Sequence, residues 1–163
     1  MLAHLLRKYA KKSSPDLLRR LANLWLPFWG AGININYISA DYREIKVQMK
    51  LRWYNRNYVG THFGGSIYAM TDAFYMMMLI NNLGRDYIVW DKGAQIKFIK
   101  PGRGTLYVHF VLSEQEISAI KQNADSAAKY VFDLPVQVKD DAGEVVASVM
   151  KTLYVRCKKS EIV

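Results

Sequence analysis

Asn57-Tyr58-Val59-Gly60-Thr61-His62-Phe63-Gly64-Gly65-Ser66, running on through Ile67 to Gly84, is the stretch on which the reading of this chain turns. A Gly pair opens a run whose side chains are almost all apolar or aromatic: Ile67, Tyr68, Met70, Phe74, Tyr75, Met76, Met77, Met78, Leu79 and Ile80. They fall on every face of a helix, which predicts a buried helix rather than an amphipathic surface one. Gly84 is its expected stop. One carboxylate, Asp72, interrupts the run. Keeping a lone charge inside such a helix costs several kcal/mol unless partners offset it, so Asp72 is the first candidate for a reactive group.

Upstream, Ser14-Pro15-Asp16 reads as an N-cap, a proline in the first turn and an acid at the positive end of a helix. Leu17, Leu18, Leu21, Leu24 and Trp25 follow at helical spacing, with Pro27 as the expected end. From Ile33 the period changes to two. Ile33, Ile35 and Tyr37 suggest a first strand; Ile45, Val47, Met49, Leu51 and Trp53 alternate with polar neighbours as a second. Downstream, Ile88, Val89 and Trp90 precede an expected turn at Asp91-Lys92-Gly93, then Ile96 and Phe98 resume the alternation. Pro101-Gly102-Arg103-Gly104 is a strong turn signal. Leu106, Val108, Phe110 and Leu112 form another strand, Ser113 with Glu116 a capping box, and Asp140 to Gly143 a hairpin connection between two last strands. Pro135 hints at an edge or a bulge. The order predicts an α+β fold, a curved antiparallel sheet wrapped around one long central helix. Residues 1–32 read as an N-terminal helical extension packed on the core, and residues 33–163 as a single domain.

A chain of 163 residues that is 51% hydrophobic can bury a core and is not disordered. Its net charge of +9 favours anionic partners. Nucleic acid is not among those expected, because no zinc motif, RNA-binding signature or basic recognition helix is present. Met1 to Lys12 carries four basic residues and no acid, and reads as an amphipathic helix rather than a targeting peptide. Asp72, Asn81 and Asn82 interrupt the apolar helix too early for a membrane span. Cys157 is the single cysteine, which excludes an intrachain disulfide and a cysteine metal cluster and fits the reducing cytoplasm. No metal or cofactor is expected.

The backbone amides of Gly64 and Gly65 at a helix start are free to polarise a carbonyl. Asp72 follows Gly65 by about two turns, on the same face as Tyr68, Tyr75 and Met76. Oxyanion donors and a carboxylate aimed into one cleft suit acyl transfer to water, with Asp72 as general base or nucleophile. On these residues alone, a buried structural Asp is an equal alternative.

Asn57, Gly60, Gly64-Gly65 and Asp72 together resemble the active-site motif of hotdog-fold acyl-CoA thioesterases of the phenylacetate-pathway type. The run from Arg56 to Ser66, with Pro101 to Gly104 downstream, is similar to an uncharacterised bacterial branch of thioesterase-like sequences. The resemblance implies the hotdog fold, with the central helix as its filling. It implies an acyl-CoA or acyl-carrier thioesterase without a cofactor, working as a homodimer or a dimer of dimers. It assigns Asp72 the base or nucleophile, Gly64 and Gly65 the oxyanion amides, and Asn57 the orientation of water or carbonyl. Phe63 stands where the motif has its His; His62, one residue earlier, is carried as the catalytic histidine candidate, although a one-residue shift can turn a side chain away. Thr61, Phe63, Tyr68, Tyr75 and Met76 are the expected acyl-binding residues; Lys97, Lys100 and Arg103 are expected at the phosphates. An acyl-binding module without turnover is the alternative.

Overall fold

The computed structural model of the chain describes residues 14–158, so the expected helix at Met1 to Lys12 lies outside the described residues. Helix α1 (Pro15–Asn23) begins as its sequence requires: the Ser14 hydroxyl accepts from the Leu17 amide at 3.3 Å, and Asp16 pairs with Arg19 and Arg20 one turn on. It stops before Pro27. That proline instead lies in the first turn of a second helix, α2 (Leu26–Ala31), where its missing N–H would have had no partner anyway. The Asn23 side chain grips both the N–H (2.7 Å) and the carbonyl (3.1 Å) of Ile35. Phe28 is buried and stacks on Phe74 at 5.6 Å, so the two helices seal one end of the core.

The sheet contains β1 (Ile33–Ile38), β2 (Glu44–Lys50), β3 (Tyr87–Phe98), β4 (Thr105–Val111), β5 (Tyr130–Lys139) and β6 (Val145–Cys157) in the order β1-β2-β4-β5-β6-β3, and every neighbouring pair is antiparallel. Period-two alternation puts Ile45, Val47 and Met49 of β2 and Leu106, Val108 and Phe110 of β4 on the inner face. They meet the helical stretch across the sheet, with Phe74 and Phe110 ring centroids 5.0 Å apart. Helix α5 (Glu114–Ser126) opens on the expected capping box, Ser113 and Glu116 each bonding the other's backbone N–H, and buries Ile120 and Ala124.

Four local readings are corrected. First, β2 ends at Lys50, and Trp53 lies in a short 3₁₀ turn (Trp53–Asn55), 84% exposed. Second, Asp91-Lys92-Gly93 is not a turn: β3 runs through it as one strand with a bulge, because β6 supplies an unbroken antiparallel partner. Third, Pro135 lies on an inner strand. It is tolerated because β4 and β5 pair only at Tyr107–Lys139 and Val108–Val138 and then diverge; its carbonyl accepts from the Tyr75 hydroxyl at 2.8 Å. Fourth, the central helix is interrupted. Helix α3 (Gly64–Ala69) gives way to a tight turn before α4 (Phe74–Leu83), with Thr71 N–H bonding Tyr68 O and Asp72 N–H bonding Ala69 O. The Thr71 hydroxyl reaches back to the same Tyr68 carbonyl at 2.8 Å, competing with the regular helical ladder. The curved sheet with its helical filling is the expected α+β hotdog architecture.

Candidate active site

The loop before α3 is folded by Asn57. Its Oδ1 accepts from the amides of Val59 (3.1 Å) and Thr61 (3.0 Å), an Asx turn, while Nδ2 donates to Thr61 Oγ1 (2.8 Å) and His62 O (3.3 Å). All the bonding capacity of this side chain is used within its own loop. Thr61, expected at the acyl site, is buried and closes that network. His62 is 2% exposed; its N–H bonds Gly102 O, and its Nε2 meets Gly104 O at 3.1 Å, while Nδ1 has no partner among the described residues. Burial lowers its pKa and keeps the imidazole neutral. The His62 side chain, expected as a catalytic candidate, clamps the loop to the Pro101–Gly104 turn. Gly102 makes room for this docking, since a Cβ there would stand 3.0 Å from Leu106 and 3.4 Å from His62.

Phe63 is the N-cap residue of α3, 56% exposed, and its ring lies over Gly65: a Cβ on Gly65 would meet Phe63 Cε1 at 2.4 Å. Gly64 is covered by Phe98 in the same way, at 3.1 Å. The glycine pair thus lies packed under two aromatic rings, with neither backbone left-handed. The N–H groups of both glycines have no hydrogen-bond partner among the described residues. With six residues, α3 has a small dipole; what it offers is two unpaired donors.

Asp72 lies in the turn between α3 and α4. It is not the buried carboxylate the sequence suggested, because its side chain is 51% exposed. Lys151 of β6 comes up from beneath, wholly buried, and donates from Nζ to Asp72 Oδ1 at 2.9 Å. The same ammonium lies 2.7 Å from Oδ2 of Asp91 on β3, an ionic contact off the hydrogen-bonding axis, and 5.3 Å from the centre of the Tyr68 ring. Burial works against the Lys151 charge, but the two carboxylates outweigh it and hold the ammonium above its ordinary pKa. Burial also raises the Asp91 carboxyl, with Lys151 pulling the other way. Asp72 Oδ2 has no partner among the described residues. Neither Lys151 nor Asp91 was singled out from the sequence. Their signal was a charged residue in phase with an inward apolar alternation: Val149, Lys151, Leu153, and Val89, Asp91.

The remaining expected residues divide. Tyr68 and Met76 are half-buried beside the helix break and on α4. Tyr75, expected on the acyl wall, faces the core edge-on to Phe110, with its phenol pushed up to about 12 by burial. Lys100, expected at the phosphates, pairs with Asp140 (2.6 Å) and Glu144 in the β5–β6 connection. Lys97 and Arg103 are exposed and form no ion pair among the described residues. No cluster of His, Cys, Asp or Glu among the described residues could hold a metal ion, and no helix among them is long and apolar enough to cross a membrane.

The sequence model of the family described as a domain of unknown function, DUF4442, matches residues 16–155. The chain belongs to this family. Among curated proteins none matches the DUF4442 chain. Solved structures do. A Pseudomonas aeruginosa protein of unknown function, described as a probable thioesterase, has a TM-score of 0.70 at 17% identity, covering 95% of each chain. A Chlorobaculum tepidum protein of unknown function has 0.70 at 14%, covering 88% of this chain and 97% of its own. A Haemophilus influenzae thioesterase has 0.64 at 14%, covering 91% and 94%. At these identities the likeness shows the fold, a thioesterase-like hotdog.

Proposed function

We propose that this DUF4442 chain hydrolyses acyl thioesters. The observation that carries the reading is the pairing of two unpartnered amides, at Gly64 and Gly65, with an Asp72 carboxylate that has one oxygen free. In the reaction, Asp72 takes a proton from water as the water oxygen bonds to the thioester carbon. The carbonyl oxygen becomes an oxyanion held by the glycine amides. The carbon–sulfur bond then breaks, and the thiolate leaves with the proton to give a carboxylic acid and a thiol. Direct attack by the carboxylate, followed by hydrolysis of the anhydride, uses the same groups.

The helical geometry argues for two copies. Gly65 lies in the first turn of α3 and Asp72 in the turn beyond its end, seven residues on; a continuous helix would rise about 10 Å over that span. Donors and base must each lie about 3 Å from one reacting centre, which favours drawing the two from different protomers. Among the described residues, one edge of the 12-residue strand β3 is unpaired, a template for the β3 of a second copy. Such a homodimer would bring the Gly64–Gly65 end of one protomer toward Asp72 of the other. Exposed Phe63 and Phe98 would then contact the acyl group, and Lys97 and Arg103 the phosphates of coenzyme A or a carrier arm.

The competing reading, an acyl-binding module without turnover, draws support from Asn57 and His62 being taken up by their loop. Hydrolysis of a panel of short, long and aromatic acyl-CoAs separates the two. Wild type should cleave some member, and Asp72→Asn, with an unchanged melting temperature, should lose about 10³-fold in kcat. Binding without turnover would remove the enzyme reading.

A further inference from the structure

An aspartate in a half-exposed turn is ordinarily free to sample rotamers, and a general base that wanders is a poor one. Asp72 is not in that position. Its Oδ1 is held by a side chain anchored in the sheet, and that side chain has no freedom of its own, being 0% exposed and enclosed by Tyr68, Asp91 and Asp72. In register, Lys151 lies between Ala94 of β3 and Leu134 of β5, so its stem rises through the core from a paired central strand.

A buried lysine here is expensive if stability is all it serves. Taking its charge from water costs several kcal/mol, and a buried ion group replaced as a whole, cation and carboxylates together, by apolar residues of similar volume is often as stable or more so. The inner face of β6 is otherwise filled by Ala147, Val149, Leu153 and Val155, all buried, so an apolar side chain would continue the pattern. Asp91 offsets the second half of the ammonium's charge from the neighbouring strand and points Nζ upward between the two carboxylates.

We infer that Lys151 is a positioning residue for Asp72: it fixes one carboxylate oxygen so that the other, Oδ2, faces the open side where a water would be activated. This rests on the hydrolytic reading above and adds to it the part that orients the base. The titratable and charged groups facing the contact are Asp72 from the helix break, Asp91 from β3 and Tyr68 from α3, around Lys151 of β6.

The test compares wild type, Lys151→Met, Lys151→Arg and Ser113→Ala, which removes the cap of α5 and controls for loss of stability alone. Two readouts are taken. Three-bond couplings to the Asp72 carboxyl carbon report whether χ1 occupies one rotamer, and steady-state kinetics with a cleaved acyl-CoA report kcat and KM separately. A single Asp72 rotamer is expected in wild type and averaging in Lys151→Met. The latter should lose about 100-fold in kcat with KM little changed, the scale of a misplaced catalytic group. Lys151→Arg should recover part of the loss, and Ser113→Ala should keep the wild-type kcat. Averaged couplings in wild type, or a rotamer that stays fixed in Lys151→Met, overturn the inference. Should Lys151→Met fail to fold, the couplings in wild type and Lys151→Arg decide it. A fixed Asp72 in a protein that cleaves no thioester leaves the clamp standing and removes the hydrolytic reading instead.

Discussion

Replacing Lys151 by Met is the substitution whose effect on stability follows most directly from the structure. The wild-type ammonium is fully buried and contacts one carboxylate that is 51% exposed and another that is 17% exposed. Breaking a buried ion pair by removing one partner costs about 3–5 kcal/mol, because the remaining charge stays without compensation. Asp72 keeps half its surface in water and contributes little to that penalty; Asp91 bears most of it. Methionine fills a similar volume and spares the desolvation of the amine, so the expected net loss is about 2–3 kcal/mol near neutral pH. Its pH dependence is distinctive. Burial already raises the Asp91 carboxyl above its ordinary value, and losing the cation raises it further. The folded state then binds a proton that the unfolded state releases. Stability from this group is full below the ordinary carboxylate pKa and is lost as pH rises through the raised one. Urea unfolding followed by tryptophan fluorescence should show a larger deficit for Lys151→Met at about pH 8 than at about pH 5. A variant as stable as wild type at the higher pH, or a deficit equal at both, would refute this reasoning.

Three further outcomes follow from the site. Asn57→Ala should cost about 2 kcal/mol, since several hydrogen bonds of about 0.5–1.5 kcal/mol each are lost, and hydrogen exchange should accelerate at the Val59 and Thr61 amides; unchanged protection there would show that the Asx turn does not hold the loop. Tyr75→Phe should cost about 1 kcal/mol through the lost bond to Pro135 O while leaving kcat and KM alone, and a changed acyl-chain preference would return Tyr75 to the acyl wall. Lys100→Ala should leave the KM for an acyl-CoA unchanged because its ammonium is engaged by Asp140 and Glu144, whereas Lys97→Ala with Arg103→Ala should raise it, more at low salt than at high; the reverse order would put the phosphates elsewhere.

Much of this fold is legible in the residues because neighbouring signals agree. The alternation of Ile45, Val47 and Met49 with polar partners, the Ser113–Glu116 box, and the Asp140–Gly143 connection each report a local preference that the tertiary structure also satisfies. Where the reading went astray, a distant partner decided. Asp91-Lys92-Gly93 has the composition of a turn, but β6 pairs straight through it and converts the extra residue into a bulge. The helix break at Asp72 carries neither glycine nor proline; it is set by a threonine hydroxyl reaching back and by a lysine 79 residues away. That separation is why the local spacing that singles out Asp72 says nothing of the lysine that holds it. Asn57 matches a familiar motif and His62 falls one residue short of its His, yet Asn57 spends its bonding on its own loop and His62 bonds across to Gly104, contacts that only the tertiary structure determines.

The central claim is that the Gly64–Gly65 amides of one copy and Asp72 of another act on one thioester. Subunit mixing tests it most directly, using Gly65→Pro, which removes a donor, and Asp72→Asn, which removes the base, each inactive alone. With sedimentation confirming a dimer, random exchange should restore about a quarter of the wild-type rate, since half the dimers are mixed and each holds one intact site. A mixture as inactive as its parents, beside a wild type that hydrolyses the same thioester, would contradict it.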